Sequence, residues 1–131
     1  MGDSLQAVDL GGRYAVTVDA NQYQSCVILD DQSAKCWGNN KRGELGQGDV
    51  VRRGSLEGQL GDALPPIDLG TGRTVMRIAT SLISSCAVLD GNDIKCWGGN
   101  VGGELGQGDT DRRGDEPGEM GDALPTVDLD L

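Results

Sequence analysis

Short runs of alternating apolar and polar residues are the main structural signal in this chain. Val16, Thr17 and Val18 alternate, and residues 75–79 (Val-Met-Arg-Ile-Ala) follow a similar pattern. Alternation of this kind predicts strands with one face buried and the other in water. Gly or Pro interrupts nearly every longer stretch, so no window has the spacing of a long amphipathic helix. The pattern predicts an all-β protein of roughly eight to ten short strands, with helix confined to single turns.

The clearest local element is a β-hairpin that occurs twice. Residues 26–29 (Cys-Val-Ile-Leu) and 34–37 (Ala-Lys-Cys-Trp) flank a polar turn, and residues 86–97 repeat the arrangement. In the second copy, residues 90–92 (Asp-Gly-Asn) predict a three-residue loop with a type I turn and a bulge, in which Asn92 is left-handed. This register places the two cysteines of each hairpin directly opposite each other.

The hairpins belong to a repeat that covers the whole chain. Residues 1–59 align with residues 60–119 nearly throughout, and residues 120–131 begin a third copy. The strictest matches are Lys-Cys-Trp-Gly at 35–38 and 95–98, and Gly-Glu-Leu-Gly-Gln-Gly-Asp at 43–49 and 103–109. Repetition at this period indicates one supersecondary unit per repeat.

Two apolar positions in each repeat are expected to be structural. The chain has only two tryptophans, and aromatic residues this scarce are usually core residues. We therefore expect Trp37 and Trp97 to pack on a neighbouring sheet. Leu45 and Leu105 are predicted to be apolar pegs inside the Gly-rich loops.

Composition and charge narrow the classes of partner. The chain has 22 glycines and no phenylalanine, and so many glycines indicate many tight turns. Its 21 acidic and 11 basic residues give a net charge of −10, so the surface repels phosphate backbones and we expect no nucleic-acid partner. No apolar stretch approaches the ~18–20 residues that span a membrane, so membrane insertion is not expected either.

The four cysteines predict two disulfides, each closing one hairpin. Opposite residues in an antiparallel pair lie about 4.5–5.5 Å apart, within the range that a disulfide accepts. Cys26 is therefore predicted to bond Cys36, and Cys86 to bond Cys96. The alternatives are free thiols or a four-thiolate metal site, but such a site needs closer pairs than the C-x9-C spacing here, and the chain has no histidine. Disulfides persist in oxidising compartments, so we expect an extracellular or cell-surface protein.

Candidate catalytic chemistry is scarce. The absence of histidine removes the usual general base and triad member, so we expect no enzymatic activity and no cofactor. Carboxylates are plentiful, and Ca²⁺ prefers such oxygen ligands. The weak calcium candidate is the densest acidic group: Asp109, Asp111, Asp115 and Glu116. The first repeat does not keep this group, and pairing of aspartates with Arg112 and Arg113 is the favoured alternative.

The order of these motifs resembles the regulator of chromosome condensation (RCC1-type) repeat, in its Cys-containing extracellular variety. The resemblance covers essentially the whole chain, in two copies. It implies that each repeat supplies one four-stranded antiparallel blade of a β-propeller of about seven blades. Functions in the family include nucleotide exchange on a Ras-like GTPase, light sensing through clustered tryptophans, and protein-binding scaffolds. Only two tryptophans and no exchange wedge are found here. Ser25 and Ser85 stand where the family signature often has histidine.

Both ends of the chain lie inside the repeated motif, which predicts continuation, either covalent or by assembly. Repeat stacks generally need three or more units, or caps, to be stable. A head-to-tail self-contact would generate a ring or a filament, and residues 120–131 are predicted to be the inter-subunit strand. Its predicted contact residues are Met120, Leu124, Val127 and Leu129.

The leading functional hypothesis is a non-enzymatic extracellular structural protein, the building unit of a polymer or of a long repeat array. Its partner would be a second copy of the chain, or adjoining repeats. The alternatives are a fragment of an adhesion or protein-binding propeller and, with less support, an exchange-factor-like regulator of a GTPase. The acidic charge and the predicted disulfides count against the last of these.

Overall fold

The computed structural model describes residues 2–130 and contains one antiparallel three-stranded sheet per repeat. The first sheet consists of β1 (Ala15–Ala20), β2 (Gln24–Leu29) and β3 (Ala34–Gly38), and the second of β4 (Val75–Thr80), β5 (Ser84–Leu89) and β6 (Ile94–Gly98). Helix within residues 2–130 is limited to three-residue 3-10 turns at Gly2–Ser4, Gly61–Ala63, Asp90–Asn92 and Gly121–Ala123. In that part of the chain, no helix is long and apolar enough to cross a membrane. The all-β class is confirmed, but residues 2–130 contain six strands and not the predicted eight to ten.

Both hairpins have the predicted register. Cys26 lies opposite Cys36 on β2 and β3, and Cys86 lies opposite Cys96 on β5 and β6. A disulfide joins each pair, with 4.1 Å between the two Cα atoms. The two bridges are therefore local, and each closes a single hairpin.

The turns of the two hairpins differ. In the first, Gln32 has a φ of +65°, and its N–H donates to the Leu29 carbonyl at 2.9 Å, as in a type I turn with a bulge residue. In the second, Gly91 and Asn92 have φ values of +78° and +69°. The predicted left-handed Asn92 is present, but the turn is not the predicted type I form. Gly91 permits this difference because a residue without Cβ enters the left-handed region freely.

Each sheet carries a remnant of a fourth strand. The chain returns to the end of β3 and forms a single bridge between Gly38 and Arg53, and Gly98 and Arg113 form the same bridge beside β6. Gly38 donates to the Arg53 carbonyl at 2.7 Å and accepts from its N–H at 3.1 Å. Arg53 also binds the Asp49 carboxylate four residues earlier, at 2.8 Å. The segment therefore folds back as a turn, and the blade has three full strands and one bridge.

Three copies of the Gly-Asp segment lie one on another. These segments are residues 2–10, 60–69 and 120–130. The N–H of Gly61 donates to the Asp9 carbonyl at 3.0 Å, and the N–H of Gly121 donates to the Asp68 carbonyl at 2.8 Å. Gly121 has a φ of +71°, and a Cβ there would lie 2.6 Å from the Asp68 carboxylate. The segments thus form a ladder that links the first repeat to the second, and the second to the start of a third.

One apolar core runs between the two sheets. Its members come from both repeats and from the segment between them: Cys26, Ile28, Ala34, Cys36, Leu45, Ile67, Leu69, Val75, Ala87, Leu89, Trp97 and Leu124. Ile78 on β4 packs against this core. Its counterpart Val18 on β1 is 66% exposed, and Val16 is 61% exposed. The prediction of a half-buried β1 is therefore wrong, because no further sheet within residues 2–130 covers the free face of the first sheet.

Candidate functional site

Several hydrogen bonds join the two blades across one contact. It joins the GELG loop of the first repeat (residues 43–46) to the tryptophan face of the second, which consists of Trp97, Ser85 and Gly114. The Glu44 carbonyl accepts two hydrogen bonds, from Trp97 Nε1–H at 3.0 Å and from the Ser85 hydroxyl at 3.0 Å. All three residues are buried. A buried carbonyl satisfied by two side chains of the other repeat fixes the position of one blade on the other.

Glycines allow the two blades to approach closely. Gly43 has a φ of +79°, and a Cβ there would lie 2.5 Å from the Asp115 nitrogen. Gly114 has a φ of +95°, and a Cβ there would lie 2.9 Å from the Gly43 carbonyl oxygen. The N–H of Gly48 donates to the Gly114 carbonyl at 3.0 Å. A side chain at either position would separate the loops, which gives these glycines a steric role.

Polar side chains of β1, of β2 and of the turn between them add a second set of bonds across the contact. The amide of Asn21 donates to the Ser81 carbonyl at 2.5 Å, and Gln24 Nε2 donates to the same oxygen at 3.1 Å. The Asp19 carboxylate accepts from the N–H and the hydroxyl of Thr80, at 2.6 and 2.9 Å. These bonds are directional, so they determine the relative position of the blades as well as their attraction.

A buried asparagine organises each GELG loop. Asn40 Nδ2 donates to the carbonyls of Asp49 and Val51 at 3.0 Å, and its Oδ1 accepts from the N–H of Leu45 at 2.9 Å. The second repeat makes the same bonds through Asn100, Asp109, Asp111 and Leu105. Leu45 and Leu105 are fully buried. The loop is therefore held from inside its own repeat and needs no neighbour to keep its shape.

Two buried lysines tie the Gly-Asp segments to the sheets. Lys95 Nζ donates to the carbonyls of Leu69 and Gly121, both at 2.9 Å, and Lys35 Nζ donates to the Gly61 carbonyl at 2.9 Å. Burial, and next the nearby guanidinium of Arg73, hold the pKa of Lys95 below its usual range. Sequence reasoning missed this role. The available signal was the strict Lys-Cys-Trp-Gly repetition, which does not show where the ammonium points.

The last Gly-Asp segment packs on its own chain. Leu124 is buried, and Met120 packs against the core. The N–H of Val127 donates to the Ile94 carbonyl on β6 at 2.8 Å. Leu129 is 51% exposed. Residues 120–130 therefore pack on their own chain in this structure, and their role as an inter-subunit strand stays a prediction.

The earlier Gly-Asp segment explains that placement. The N–H of Ile67 donates to the Ala34 carbonyl on β3 at 2.8 Å, as Val127 does to Ile94. Residues 60–69 therefore cover the edge of the first sheet in the same way that residues 120–130 cover the edge of the second. Each Gly-Asp segment after the first therefore packs on the sheet that precedes it in the chain.

Two carboxylates of the acidic group near residue 110 form ion pairs with arginines. Asp109 lies 2.9 Å from Arg113, whose hydrogen bond is the main cause that lowers the pKa of Asp109. Asp115 lies 3.3 Å from Arg112. Among residues 2–130, no group of three or more His, Cys, Asp or Glu side chains is arranged to hold a metal ion. The structure does not bring the weak calcium candidates together: Asp109, Asp111, Asp115 and Glu116.

Each half of the blade contact recurs in an exposed form elsewhere in the chain. The open tryptophan face of the first repeat consists of Trp37, Ser25 and Gly54. Trp37 and Ser25 are half-buried and Gly54 is exposed. The open GELG loop of the second repeat, residues 103–106, has an exposed Glu104. The structure therefore buries Trp97 and leaves Trp37 partly in water.

Comparisons with solved structures support an RCC1-type repeat fold. No protein-family model matches the sequence. The structure of human WBSCR16 is similar with a TM-score of 0.66 and 19% identity, over 91% of this chain and 27% of that chain. Yeast RCC1 (Prp20), solved bound to Kap60, is similar with a TM-score of 0.61 and 20% identity, over 90% of this chain and 24% of that chain.

A second structure, of Prp20p from Saccharomyces cerevisiae, was described with its binding properties to Gsp1p and histones. It is similar with a TM-score of 0.61 and 16% identity, over 89% of this chain and 26% of that chain. At such identities the likeness concerns the fold and not the partners. The chain spans about a quarter of the length of the structures it matches.

Proposed function

We propose that this chain, which has the RCC1-type repeat fold, is a non-enzymatic extracellular structural protein whose copies stack head to tail. One observation carries the proposal. The chain buries the contact between a GELG loop and a tryptophan face once, and it exposes a second loop and a second face of the same sequence. The two local disulfides support an oxidising location. The similarity to RCC1 (Prp20), which was solved bound to Kap60 and described as binding Gsp1p and histones, supports a role in protein contacts.

The open GELG loop and the open tryptophan face are complementary, because they repeat the sequences of the loop and the face that already bind each other within the chain. In the proposed contact, the Glu104 carbonyl of one copy accepts hydrogen bonds from Trp37 and Ser25 of the next, as Glu44 accepts from Trp97 and Ser85 within the chain. The loop keeps its shape through internal bonds, so little ordering is needed on binding. Such a contact is heterologous. It generates a ring or a filament according to its rotation.

One adjustment is required at the amino terminus. Residues 2–10 of one copy and residues 120–130 of the preceding copy are versions of the same segment, so they compete for one place. Residues 2–9 are exposed, whereas Leu124 is buried and Lys95 binds the Gly121 carbonyl. In the proposed assembly, residues 2–10 are therefore the segment that is displaced. Deletion of residues 1–11 is expected to preserve or strengthen assembly.

Sedimentation velocity of the whole chain over a range of concentration and salt tests the proposal. Assembly should increase with salt, because a charge of −10 on every copy opposes association and salt screens that repulsion. Trp37→Ala removes the open face. Gly103→Val blocks the open loop, because a Cβ at the matching Gly43 would collide with its neighbour. Each variant alone should be monomeric.

An equimolar mixture of the two variants is the sharpest form of the test. One intact loop and one intact face remain in the mixture, so it should form dimers and nothing larger. Met76→Ala is the control, since it removes an exposed apolar side chain on β4, away from both surfaces, and should assemble like the unmodified chain. If Trp37→Ala forms assemblies as large as those of the unmodified chain, the proposal is contradicted.

A second candidate is a piece of an adhesion or protein-binding propeller. The observation that favours it is the length of the chain, about a quarter of the matched structures. In that case the open loop and the open face would meet adjoining blades of a longer chain. A chain that stays monomeric at all concentrations and salt levels would favour this candidate. Detection of the native protein outside the cell, with its cysteines oxidised, tests the location for both.

A further inference from the structure

A polar cleft of about 600 Å³ lies between the loops of the two repeats, apart from the blade contact described above. Its principal lining residues are Asn39, Lys41, Arg42, Asn100, Thr110 and Arg112. Three of these six side chains are cationic, in a protein whose net charge is −10. The cleft is therefore a local reversal of the protein's charge.

Two cations of the cleft have no ion-pair partner in the described residues, and the third is held in position by hydrogen bonding. Lys41 and Arg42 are exposed, and no ion pair within residues 2–130 involves either of them. Arg112 Nη1 donates to the Lys41 carbonyl at 3.2 Å, and its Nε lies 3.3 Å from Asp115. That carbonyl bond holds the guanidinium of one repeat against the loop of the other.

Asp115 pairs with Arg112, but the neighbouring carboxylate of Glu44 does not pair with the side chain of Lys41 or Arg42. The Glu44 carboxylate accepts from Asn39 Nδ2 at 2.5 Å and from the backbone N–H of Arg42 at 2.7 Å. Both of its oxygens thus accept hydrogen bonds from residues just before the GELG loop, and Glu44 is buried. The side chains of Lys41 and Arg42 remain directed to solvent.

The internal repeat shows that the fold does not need these cations. Positions 41 and 42 correspond to Val101 and Gly102 in the second repeat. That loop makes the same internal bond, from the N–H of Gly102 to the Glu104 carboxylate at 2.6 Å. Two adjacent cations therefore distinguish the first loop from a neutral version of the same structure within the same chain.

We propose that this cleft binds a compact doubly charged oxyanion, a phosphate or sulfate group. Two guanidinium groups and one ammonium provide charged donors at a single site, and Thr110 contributes a hydroxyl group. No aromatic side chain lines the cleft, so it lacks a stacking surface for a base or a sugar ring. The acidic remainder of the surface disfavours long polyanions. This site lies within one chain and does not depend on the proposed assembly.

Titration of the whole chain with inorganic phosphate at low ionic strength, followed by NMR, tests the site. Saturable shifts are expected at residues 39–42, 99–101 and 110–112. Lys41→Val/Arg42→Gly, which installs the residues of the second repeat, should weaken binding at least about tenfold. Arg52→Ala/Arg77→Ala removes the same formal charge from exposed positions that do not line the cleft, and should keep the affinity.

The outcomes separate the sources of the anion and can reject the site. Methyl phosphate that binds as tightly as inorganic phosphate indicates a group carried by a larger molecule, and a clear preference for inorganic phosphate indicates the free ion. Absence of saturable binding overturns the proposal. Equal weakening by the two double variants overturns it too, because binding would then follow net charge alone. Tighter binding of N-acetyl-aspartate than of phosphate rejects the proposed class of anion.

Discussion

The two repeats have nearly the same sequence, yet matching residues have different surroundings. Trp97 is fully buried and Trp37 is half-exposed, whereas Glu44 is buried and its counterpart Glu104 is exposed. The difference is one of neighbours. The first repeat has a blade on its loop side, and the second has a blade on its tryptophan side.

The comparison separates two kinds of interaction. The disulfide, the asparagine within the GELG loop and the Asp–Arg pair occur in both repeats with nearly the same geometry. The bonds to the Glu44 carbonyl occur once, because they need two adjacent blades. Stability in such an array is the sum of a term for each repeat and a term for each contact between neighbours. The matched variants below test that division.

The largest difference is expected between the two tryptophans. Trp97→Ala should cost about 3–5 kcal/mol of unfolding free energy, as for other fully buried aromatic residues. Trp37→Ala should cost about 1 kcal/mol, because that side chain keeps much of its contact with water in the single chain. Urea unfolding at protein concentrations where the chain is monomeric measures both. Equal costs would mean that the neighbouring blade does not determine the role of this residue.

The disulfides should show the opposite behaviour, with equal effects in the two repeats. Replacing both cysteines of a hairpin by alanine, Cys26 with Cys36 or Cys86 with Cys96, should cost about 2–3 kcal/mol each time. Both loops have a sequence separation of 10 residues, so the entropy of loop closure is the same. The unfolding free energies of the two variants provide the check. A large inequality would show that the neighbouring blade also affects the hairpins.

The smallest effect is expected at Glu119. Its Oε1 accepts from the N–H groups of Gly114 and Glu116, as Gln59 does in the first repeat. Burial, and then the nearby Asp115, raise the pKa of Glu119. A raised acid pKa means that the charged form costs stability above the ordinary pKa. Glu119→Gln should therefore stabilise the chain by about 0.5 kcal/mol at neutral pH.

The pH dependence of that gain identifies its cause. The gain should shrink as the pH falls through the raised pKa of Glu119, and it should vanish below the ordinary value of 4.5, where the carboxyl is protonated in both states. Thermal unfolding of both proteins between pH 4 and pH 7 provides the measurement. The reverse change, Gln59→Glu, is the matched control, and it should destabilise the first repeat at neutral pH. A gain independent of pH would point to packing instead of charge.

Local features of the fold could be predicted from the sequence. The cysteine register follows from the spacing of the hairpin residues, and the left-handed Asn92 follows from turn chemistry. Both depend on interactions within about ten residues, where alternation and turn preferences are informative. The prediction of a type I turn is wrong for the second hairpin because Gly91 is free to adopt a positive φ.

By itself, the sequence determined the repeat, the all-β class, the two hairpins and their disulfides. Only the tertiary structure decided that Trp97 is buried while Trp37 is not, that Lys95 ties two segments together, and that residues 120–130 cover β6. It also decided that Lys41 and Arg112 line one cleft from different repeats. The physical reason is that identical residues have the same local preferences, whereas burial and charge environment depend on which blade lies next to them.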